Sequence, residues 1–119
     1  MKHNAVVGNW RSLESKVLSS PAVKGAAMCA VVGPEDGWED HVMRIVTVEP
    51  GGYTPRHAHP WPHINLVLDG EGTVRVGEEI REIQKGSYAF LPAGLEHQFV
   101  NTGAGPLELV CIVPREGHV

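Results

Sequence analysis

The chain has 119 residues and a mass of 12.9 kDa, which corresponds to one domain large enough to bury a core. Apolar residues make up 42% of it and charged residues 20%, a composition that argues against a disordered chain. The net charge is −4 and Lys and Arg form no cluster, so neither a nucleic-acid partner nor a membrane is expected. The first twenty residues lack the apolar stretch of a secretory signal, so the expected location is the cytoplasm.

Residues 1–22 are predicted to form an N-terminal arm, and residues 23–119 a single domain. Within the arm, Ser12–Leu18 is the only segment that could form a helical turn. The two cysteines, Cys29 and Cys111, each lie inside an apolar run. Two buried free thiols are therefore expected, with a disulfide or a metal thiolate as the alternatives.

After the arm, short apolar segments alternate with segments rich in Gly, Pro, Asp and Asn, which is typical of an all-β sandwich or barrel. Gly and Pro favour turns in the intervening segments, including residues 49–52. Seven strands are predicted: Lys24–Val32, His41–Val48, His63–Leu68, Gly72–Val76, Ser87–Leu91, His97–Asn101 and Leu107–Val113.

The strand predicted at 63–68 is apolar on both of its faces. Since side chains alternate along a strand, one face carries the odd-numbered residues, which are His57, His59, His63, Asn65 and Val67 where the chain is extended. The opposite face carries Ile64, Leu66 and Leu68. A strand of this kind is buried on both faces, so one face lines the barrel and the other meets a second sheet or a second subunit. The segment at 107–113 has the same pattern, and a homodimer is predicted, with cover by the N-terminal arm as the alternative.

Four histidines fall at the spacing of a metal site. His57, His59 and His63 are close in sequence, while His97 returns from another predicted strand. Zn, Fe, Mn, Ni and Cu all accept imidazole nitrogen as a ligand. The pattern predicts one divalent transition metal per chain. The remaining histidines, His3, His41 and His118, are expected to be solvated.

Two blocks of sequence carry motifs of defined spacing. The first block fits G-x5-H-x-H-x3/4-E-x6-G at Gly51, His57, His59 and Gly70, with His63 where the glutamate belongs. The second block fits G-x5-P-x-G-x2-H-x3-N at Gly86, Pro92, Gly94, His97 and Asn101. With both motifs, the chain resembles the cupins, and its flanking sequence resembles the small single-domain cupins that hold manganese with four histidines. The resemblance covers about residues 42–117.

The resemblance implies an all-β cupin jelly-roll β-barrel with the metal inside. It also implies that His57, His59 and His97 are metal ligands and that His63 replaces the usual glutamate ligand; the alternative for His63 is that it only lines the cavity. Manganese is the first expectation, with Fe, Ni, Zn and Cu as alternatives. Neutral ligands leave the ion nearly its full charge, which favours its divalent state and the binding of anions.

Residues around the metal are expected to complete the site. Candidates are Asn65, Arg44, Tyr53, Gln98, Phe99 and Cys111. The predicted interior, Val67, Phe90, Phe99 and Leu109, favours a small substrate that is mostly apolar or enolate-like. Trp61 either lines the mouth of the cavity or packs as a loop aromatic.

Three function classes follow from this site. The leading one is a metal-dependent oxidoreductase, similar to a dioxygenase, that acts on a small organic substrate with dioxygen or peroxide. The four-histidine cupins that the chain resembles are associated with oxidative cleavage of carbon–carbon bonds. The alternatives are a non-redox isomerase, lyase or decarboxylase that uses the ion as a Lewis acid, and a module that binds a small ligand without catalysis. The fold alone does not choose among them.

Overall fold

A computed structural model describes residues 4–118, of which strands account for most: the chain is 53% strand and 8% helix. The strands are β1 (Lys16–Val17), β2 (Lys24–Val32), β3 (His41–Tyr53), β4 (His63–Asp69), β5 (Glu71–Val76), β6 (Glu79–Gln84), β7 (Tyr88–Leu91), β8 (His97–Asn101) and β9 (Leu107–Pro114). Short 3-10 helices lie at Trp10–Ser12, Pro34–Asp36 and Arg115–Gly117. The all-β prediction and all seven predicted strands are confirmed.

The strands form a nearly closed antiparallel barrel, as expected for a single jelly-roll domain. Strands β2, β3, β9, β4 and β7 are hydrogen-bonded in that order and make one side of the barrel. Strands β6, β5 and β8 make the other side. Apolar side chains from the two sides fill the space between them: Val46, Val48, Val67, Val74, Ile83, Leu91, Phe99, Leu107, Leu109 and Val113.

Strand β3 joins the two sides because it is longer than predicted. Residues 41–48 pair with β9, whereas Tyr53, at its end, pairs with Val100 of β8. The turn predicted at residues 49–52 is therefore wrong as a strand boundary. Gly51 has a φ of +79°, which glycine adopts without steric cost, and the pairing of β2 with β3 shifts register between Lys24 and Ala26. The segment at residues 49–52 thus bends strand β3 from one side of the barrel to the other.

Two further strands differ from the sequence expectation. The helical turn predicted at Ser12–Leu18 is wrong, since β1 lies there and pairs Lys16 with Met28 of β2; the helical residues come earlier, at Trp10–Ser12. Strand β6 was not predicted because it is an edge strand in which only Ile83 is buried. Its charged side chains hide the alternation that identifies a half-buried strand.

The arm is fastened to the barrel by a charged pair. Arg11 donates from Nη1 to Glu108 Oε2 at 3.1 Å and from Nη2 to Glu108 Oε1 at 2.9 Å, the two-bond geometry that is strongest for this pair. The division between arm and domain at residues 22 and 23 stays a prediction. Both cysteines are buried and free, as expected. Within residues 4–118, no helix has the length and apolar character needed to span a membrane.

The outer surface of β4 and β7 is left uncovered by residues 4–22, the described part of the arm. Ile64 and Leu66 are 53% and 43% exposed, and Tyr88 and Phe90 are 81% and 61% exposed. They form two cross-strand pairs, Ile64 with Phe90 and Leu66 with Tyr88. The expectation that Phe90 lies in the interior is wrong, because its register with Ile64 turns it outward. We call these four residues the outer apolar face.

Candidate metal centre

The loop that carries His57 and His59 is anchored to β8 by its backbone. The His57 N–H donates to the His97 carbonyl at 3.1 Å, and the His97 N–H donates to the His57 carbonyl at 2.9 Å. Beside this bridge, Arg56 Nε donates to Glu96 Oε1 at 2.7 Å on the surface. The two motif blocks are thereby held together at the point where each contributes a histidine.

The turn of the second motif supports the loop of the first. The Gly94 N–H donates to the His59 carbonyl at 2.8 Å, and Gly94 has a φ of +79°. That left-handed conformation is rare for residues with a Cβ, which accounts for a glycine here. Asn101, the last residue of the motif, is structural: its Nδ2 donates to the Val48 and Gly105 carbonyls, and its Oδ1 accepts from the Gly103 N–H.

The structure brings the four predicted histidines together. One ring nitrogen from each of His57, His59 and His97 lies within 4.8 Å of the others, so these three are close enough to hold an ion. His63 is not in that group of three, but its ring stacks on His59 with centroids 4.4 Å apart and lies 5.1 Å from the His97 ring. A fourth ligand from His63 stays a prediction.

Two of the rings are oriented by backbone carbonyls. His59 Nδ1 lies 3.1 Å from the Trp61 carbonyl oxygen, and His97 Nδ1 lies 3.0 Å from the Leu95 carbonyl oxygen. A carbonyl oxygen only accepts, so each Nδ1 carries the proton and each Nε2 presents a lone pair. Among residues 4–118, neither Nε2 atom has a hydrogen-bond partner although both are buried, which is costly unless a cation or a donor meets them. Ligating histidines in metal sites commonly have their second nitrogen fixed in this way, so these residues fit a metal ion.

Desolvation favours the neutral form of His57, His63 and His97, the form that binds metal, even though His57 lies at the exposed edge of the cluster. Desolvation, followed by the nearby His97, His59 and Arg44, lowers the pKa of His57 to about 4. Desolvation and the same cluster lower the pKa of His63 to about 3. The pKa of His97 is also lowered by desolvation, against the opposing effect of its hydrogen bond to Leu95.

A cavity of about 170 Å³ opens next to the histidines. It is lined by Leu18, Met28, Arg44, Val46, Thr54, Pro55, His57, His63, Asn65, His97, Phe99, Leu109 and Cys111. Four of the predicted neighbours of the metal are among these lining residues: Arg44, Asn65, Phe99 and Cys111. The other two, Tyr53 and Gln98, are not. Gln98 instead donates from Nε2 to the Thr54 carbonyl at 2.9 Å.

Some lining residues were not predicted. Val46 shares its face of β3 with Arg44, so strand alternation could have found it. Leu18 belongs to the segment predicted as helical and reaches the cavity because its N–H donates to the Ala26 carbonyl of β2 at 2.9 Å. No signal in the sequence of the arm indicates that contact.

The remaining aromatic and histidine predictions have mixed outcomes. Trp61 stacks on His59 with centroids 4.8 Å apart and is not among the residues lining the cavity, so it packs as a loop aromatic. His41 is exposed, as predicted. His118 is half-buried, and desolvation lowers its pKa, so the expectation that it is solvated is wrong. His3 lies outside the described residues.

Residues 44–113 match the family model described as "Cupin domain". The chain belongs to the cupin family. No curated protein matches it. Among solved structures, the polyketide cyclase RemF from Streptomyces resistomycificus is similar, with a TM-score of 0.86, 23% identity, and coverage of 93% of this chain and 80% of that one.

Two further solved structures share the cupin fold with this chain. A predicted oxalate decarboxylase from Thermotoga maritima has a TM-score of 0.83 and 22% identity over 92% of this chain and 98% of that one. A cupin 2 domain-containing protein from Halorhodospira halophila is 31% identical with a TM-score of 0.71, over 76% of this chain and 64% of that one.

Proposed function

We propose that this cupin is a metal-dependent oxidoreductase that holds one divalent transition ion, with manganese expected first, and acts on a small organic substrate with dioxygen or peroxide. The observation that supports the metal is the pair of buried Nε2 atoms on His59 and His97, each freed by a hydrogen bond at the opposite nitrogen. His57 supplies a third nitrogen within ligand distance of both.

His63 is proposed as the fourth ligand. Its ring is 7% exposed and stacks on His59, and its Nδ1 lies 3.5 Å from Cys111 Sγ. An all-imidazole site adds no negative charge to the ion, so an ion bound there would supply strong Lewis acidity toward substrate oxygen atoms and toward water. The histidines would hold the ion, and the apolar side chains of Val46, Phe99 and Leu109, which line the same cavity, would limit the access of water to it.

The second candidate is a non-redox reaction at the same ion. Solved cupin structures similar to this chain are described as a polyketide cyclase, a predicted oxalate decarboxylase and a sugar phosphate isomerase. These names differ from one another, and none of the three names an oxygenase. The names are therefore compatible with a Lewis-acid reaction but do not favour it over an oxidation.

The experiment uses protein purified without a histidine tag, so that the metal content reports the site alone. Elemental analysis of the native protein identifies the metal, and the metal-free protein is then reloaded separately with Mn, Fe and Zn. Substrate-dependent oxygen or peroxide consumption with Mn or Fe, absent with Zn, supports the oxidoreductase. Turnover with Zn and without oxygen supports the second candidate and contradicts the first. The exposed His41 provides a control variant, His41→Ala, that should retain both metal and activity.

We also propose a cytoplasmic homodimer that buries the outer apolar face. Scattered apolar residues on a surface are common, but a contiguous cluster of large ones marks an interaction site. The outer apolar face consists of two adjacent cross-strand pairs, continuous with the half-buried Val110 and Ile112 of β9. A stable dimer buries about 800 Å² per partner, so the outer apolar face would form the centre of a larger interface. Because this face lies on the opposite side of β4 from the site, dimer formation there would not close the cavity.

A further inference from the structure

Arg44 is a buried cation that faces the cavity of the proposed metal site. It is 9% exposed, and it pairs across β3 and β9 with Cys111, which in turn pairs across β9 and β4 with Asn65. All three side chains line the same cavity. They form one polar row across three neighbouring strands, beside the histidine cluster.

The charge of Arg44 has no anionic partner in the described part of the chain. Its Nη2 donates to Cys111 Sγ at 3.2 Å, and its Nε is buried without a partner. Between residues 4 and 118, side-chain ion pairs are made by Arg11, Arg56 and Arg81, and Arg44 is in none of them. A buried guanidinium without a carboxylate is unfavourable for the free protein. Its fork of N–H groups matches a carboxylate in two-bond geometry.

Asn65 adds a second unused group to the same row. Its Nδ2 donates to the Val110 carbonyl at 3.3 Å, which leaves Oδ1 buried without a partner. An amide oxygen accepts a hydrogen bond from a hydroxyl, whereas a carboxylate has no proton to donate. The rest of the cavity wall is mostly apolar, with Val46, Phe99 and Leu109.

We infer that the ligand of this cavity is a small hydroxycarboxylic acid with an apolar body, whose carboxylate is bound by Arg44 and whose hydroxyl donates to Asn65 Oδ1. This inference rests on the proposed function for the reaction itself, but the subsite consists of side chains that are separate from the histidines. Cys111 Sγ lies between Arg44 and His63, 3.2 Å from one and 3.5 Å from the other. The bound carboxylate would therefore lie next to the ion, where an anion is also attracted to the metal.

Binding is measured by calorimetry with three probes of similar shape: mandelate, phenylacetate and phenylacetamide. The wild-type protein is used both metal-free and loaded with redox-inert Zn. We expect mandelate to bind most tightly, phenylacetate less tightly and the neutral amide least. Equal affinity for phenylacetate and phenylacetamide in both forms would overturn the inference without any variant being needed.

Two variants test which side chain binds the carboxylate and which one binds the hydroxyl. Arg44→Met should weaken both carboxylates about ten- to hundredfold, the value of a hydrogen-bonded charge, and should leave the amide unchanged. Asn65→Leu should remove the preference for mandelate over phenylacetate. Arg81→Met removes the same charge from an exposed position and should change nothing. A guanidinium with a purely structural role would make Arg44→Met less stable, whereas an unpaired one predicts an equal or higher melting temperature in the absence of ligand. If Arg44→Met does not fold, Arg44→Lys keeps the charge without the fork and should bind carboxylate with intermediate affinity.

Two outcomes separate this inference from the proposed function, and a third tests the inference alone. Zn retained by Arg44→Met with undiminished carboxylate affinity overturns the subsite and leaves the metal centre intact. Carboxylate binding that depends on Arg44 in a protein that takes up no metal supports the subsite and overturns the metal function. A thiolate absorbance at neutral pH that disappears in Cys111→Ser would show that Cys111 already neutralises Arg44, and it would overturn the inference.

Discussion

The two faces of strand β4 reverse the usual distribution of side chains. The face toward the cavity carries His63 and Asn65, which are 7% and 3% exposed, while the outward face carries Ile64 and Leu66, which are 53% and 43% exposed. In most half-buried strands the apolar side chains point inward and the polar ones outward. Here the interior holds polar groups and the surface holds large apolar ones.

Both faces are unfavourable in an isolated chain for different reasons. On the inner side, Asn65 Oδ1 and the Nε2 atoms of His59 and His97 are buried without partners, and each has lost its hydrogen bonds to water. On the outer side, apolar area stays in contact with water. Each arrangement would become favourable on binding of the proposed partners, which are an ion and a ligand on the inner side and a second copy of the chain on the outer side. The strand therefore relates the two proposals, and each face can be tested without altering the other.

The largest expected effect is on the inner side, at the histidines. His97→Ala should reduce metal content from one ion per chain to almost none, because it removes a proposed ligand that is 3% exposed and whose ring is oriented by the Leu95 carbonyl. His59→Ala should do the same. Elemental analysis after gel filtration measures it, with His41→Ala as the matched control. A double variant of His59 and His97 that retained stoichiometric metal would contradict the site.

A charged residue introduced into the outer apolar face should dissociate the proposed dimer without changing the metal content. Light scattering should give about twice the chain mass of 12.9 kDa, and Ile64→Glu should give the monomer mass with unchanged metal content. The control is Ile80→Glu, since Ile80 is 59% exposed on edge strand β6. A wild-type monomer at micromolar concentration, or an Ile64→Glu dimer, would show that this face is not the interface.

Much of β4 could be read from the sequence because alternation fixes which residues share a face. His63, Asn65 and Val67 share the buried face and Ile64 and Leu66 share the opposite one, as the alternation predicts, whereas the pattern predicted that this opposite face is buried as well and it is exposed in the single chain. The motif spacing correctly predicts that His57, His59 and His97 meet, since the glycine and proline positions set the turns that bring them together. Local pattern and local geometry agree in these segments.

The wrong predictions occur where tertiary contacts determine the orientation of a side chain or the conformation of a segment. Phe90 has a large apolar side chain in a predicted strand, and only its pairing with Ile64 shows that it points outward. Ser12–Leu18 has no strong local preference, so its pairing with β2 determines its conformation. The unpaired charge of Arg44 is equally invisible in the sequence, because it depends on which side chains the barrel leaves out of reach.

Acid should lower the stability of the metal-free protein through the histidines on the inner side. The pKa of His57 is lowered to about 4 and that of His63 to about 3 by burial and neighbouring charges, from an ordinary value of 6.5. Below pH 6.5 the unfolded chain binds protons that the folded chain does not, so stability should fall as the pH is lowered from about 6.5 toward 3 and 4. The buried His63 contributes about 1.4 kcal/mol per pH unit at most, and the contribution of His57 is smaller because this residue is exposed and solvent screens its charge.

Chemical denaturation of the metal-free protein across this range measures the slope. His63→Gln should make it shallower, and the exposed His41→Gln should not. Since the folded pKa values are low, metal release to a chelator should also require a pH below 6.5. Stability that stays constant from neutral pH to about pH 4 would contradict the shifts.

The smallest expected effect is the exchange of His63 for glutamate, which distinguishes a ligand from a residue that only lines the cavity. His63→Glu introduces the carboxylate that the cupin motif has at this position, so the barrel should tolerate it and the ion should still bind, since Mn and Fe accept carboxylate oxygen. The added negative charge should lower the Lewis acidity of the ion and weaken bound anions such as mandelate, in contrast to the neutral His63→Gln. Calorimetry with mandelate on both variants measures this difference. If His63→Glu and His63→Ala both kept native metal affinity and anion binding, His63 would only line the cavity, and the ion would be held by three histidines.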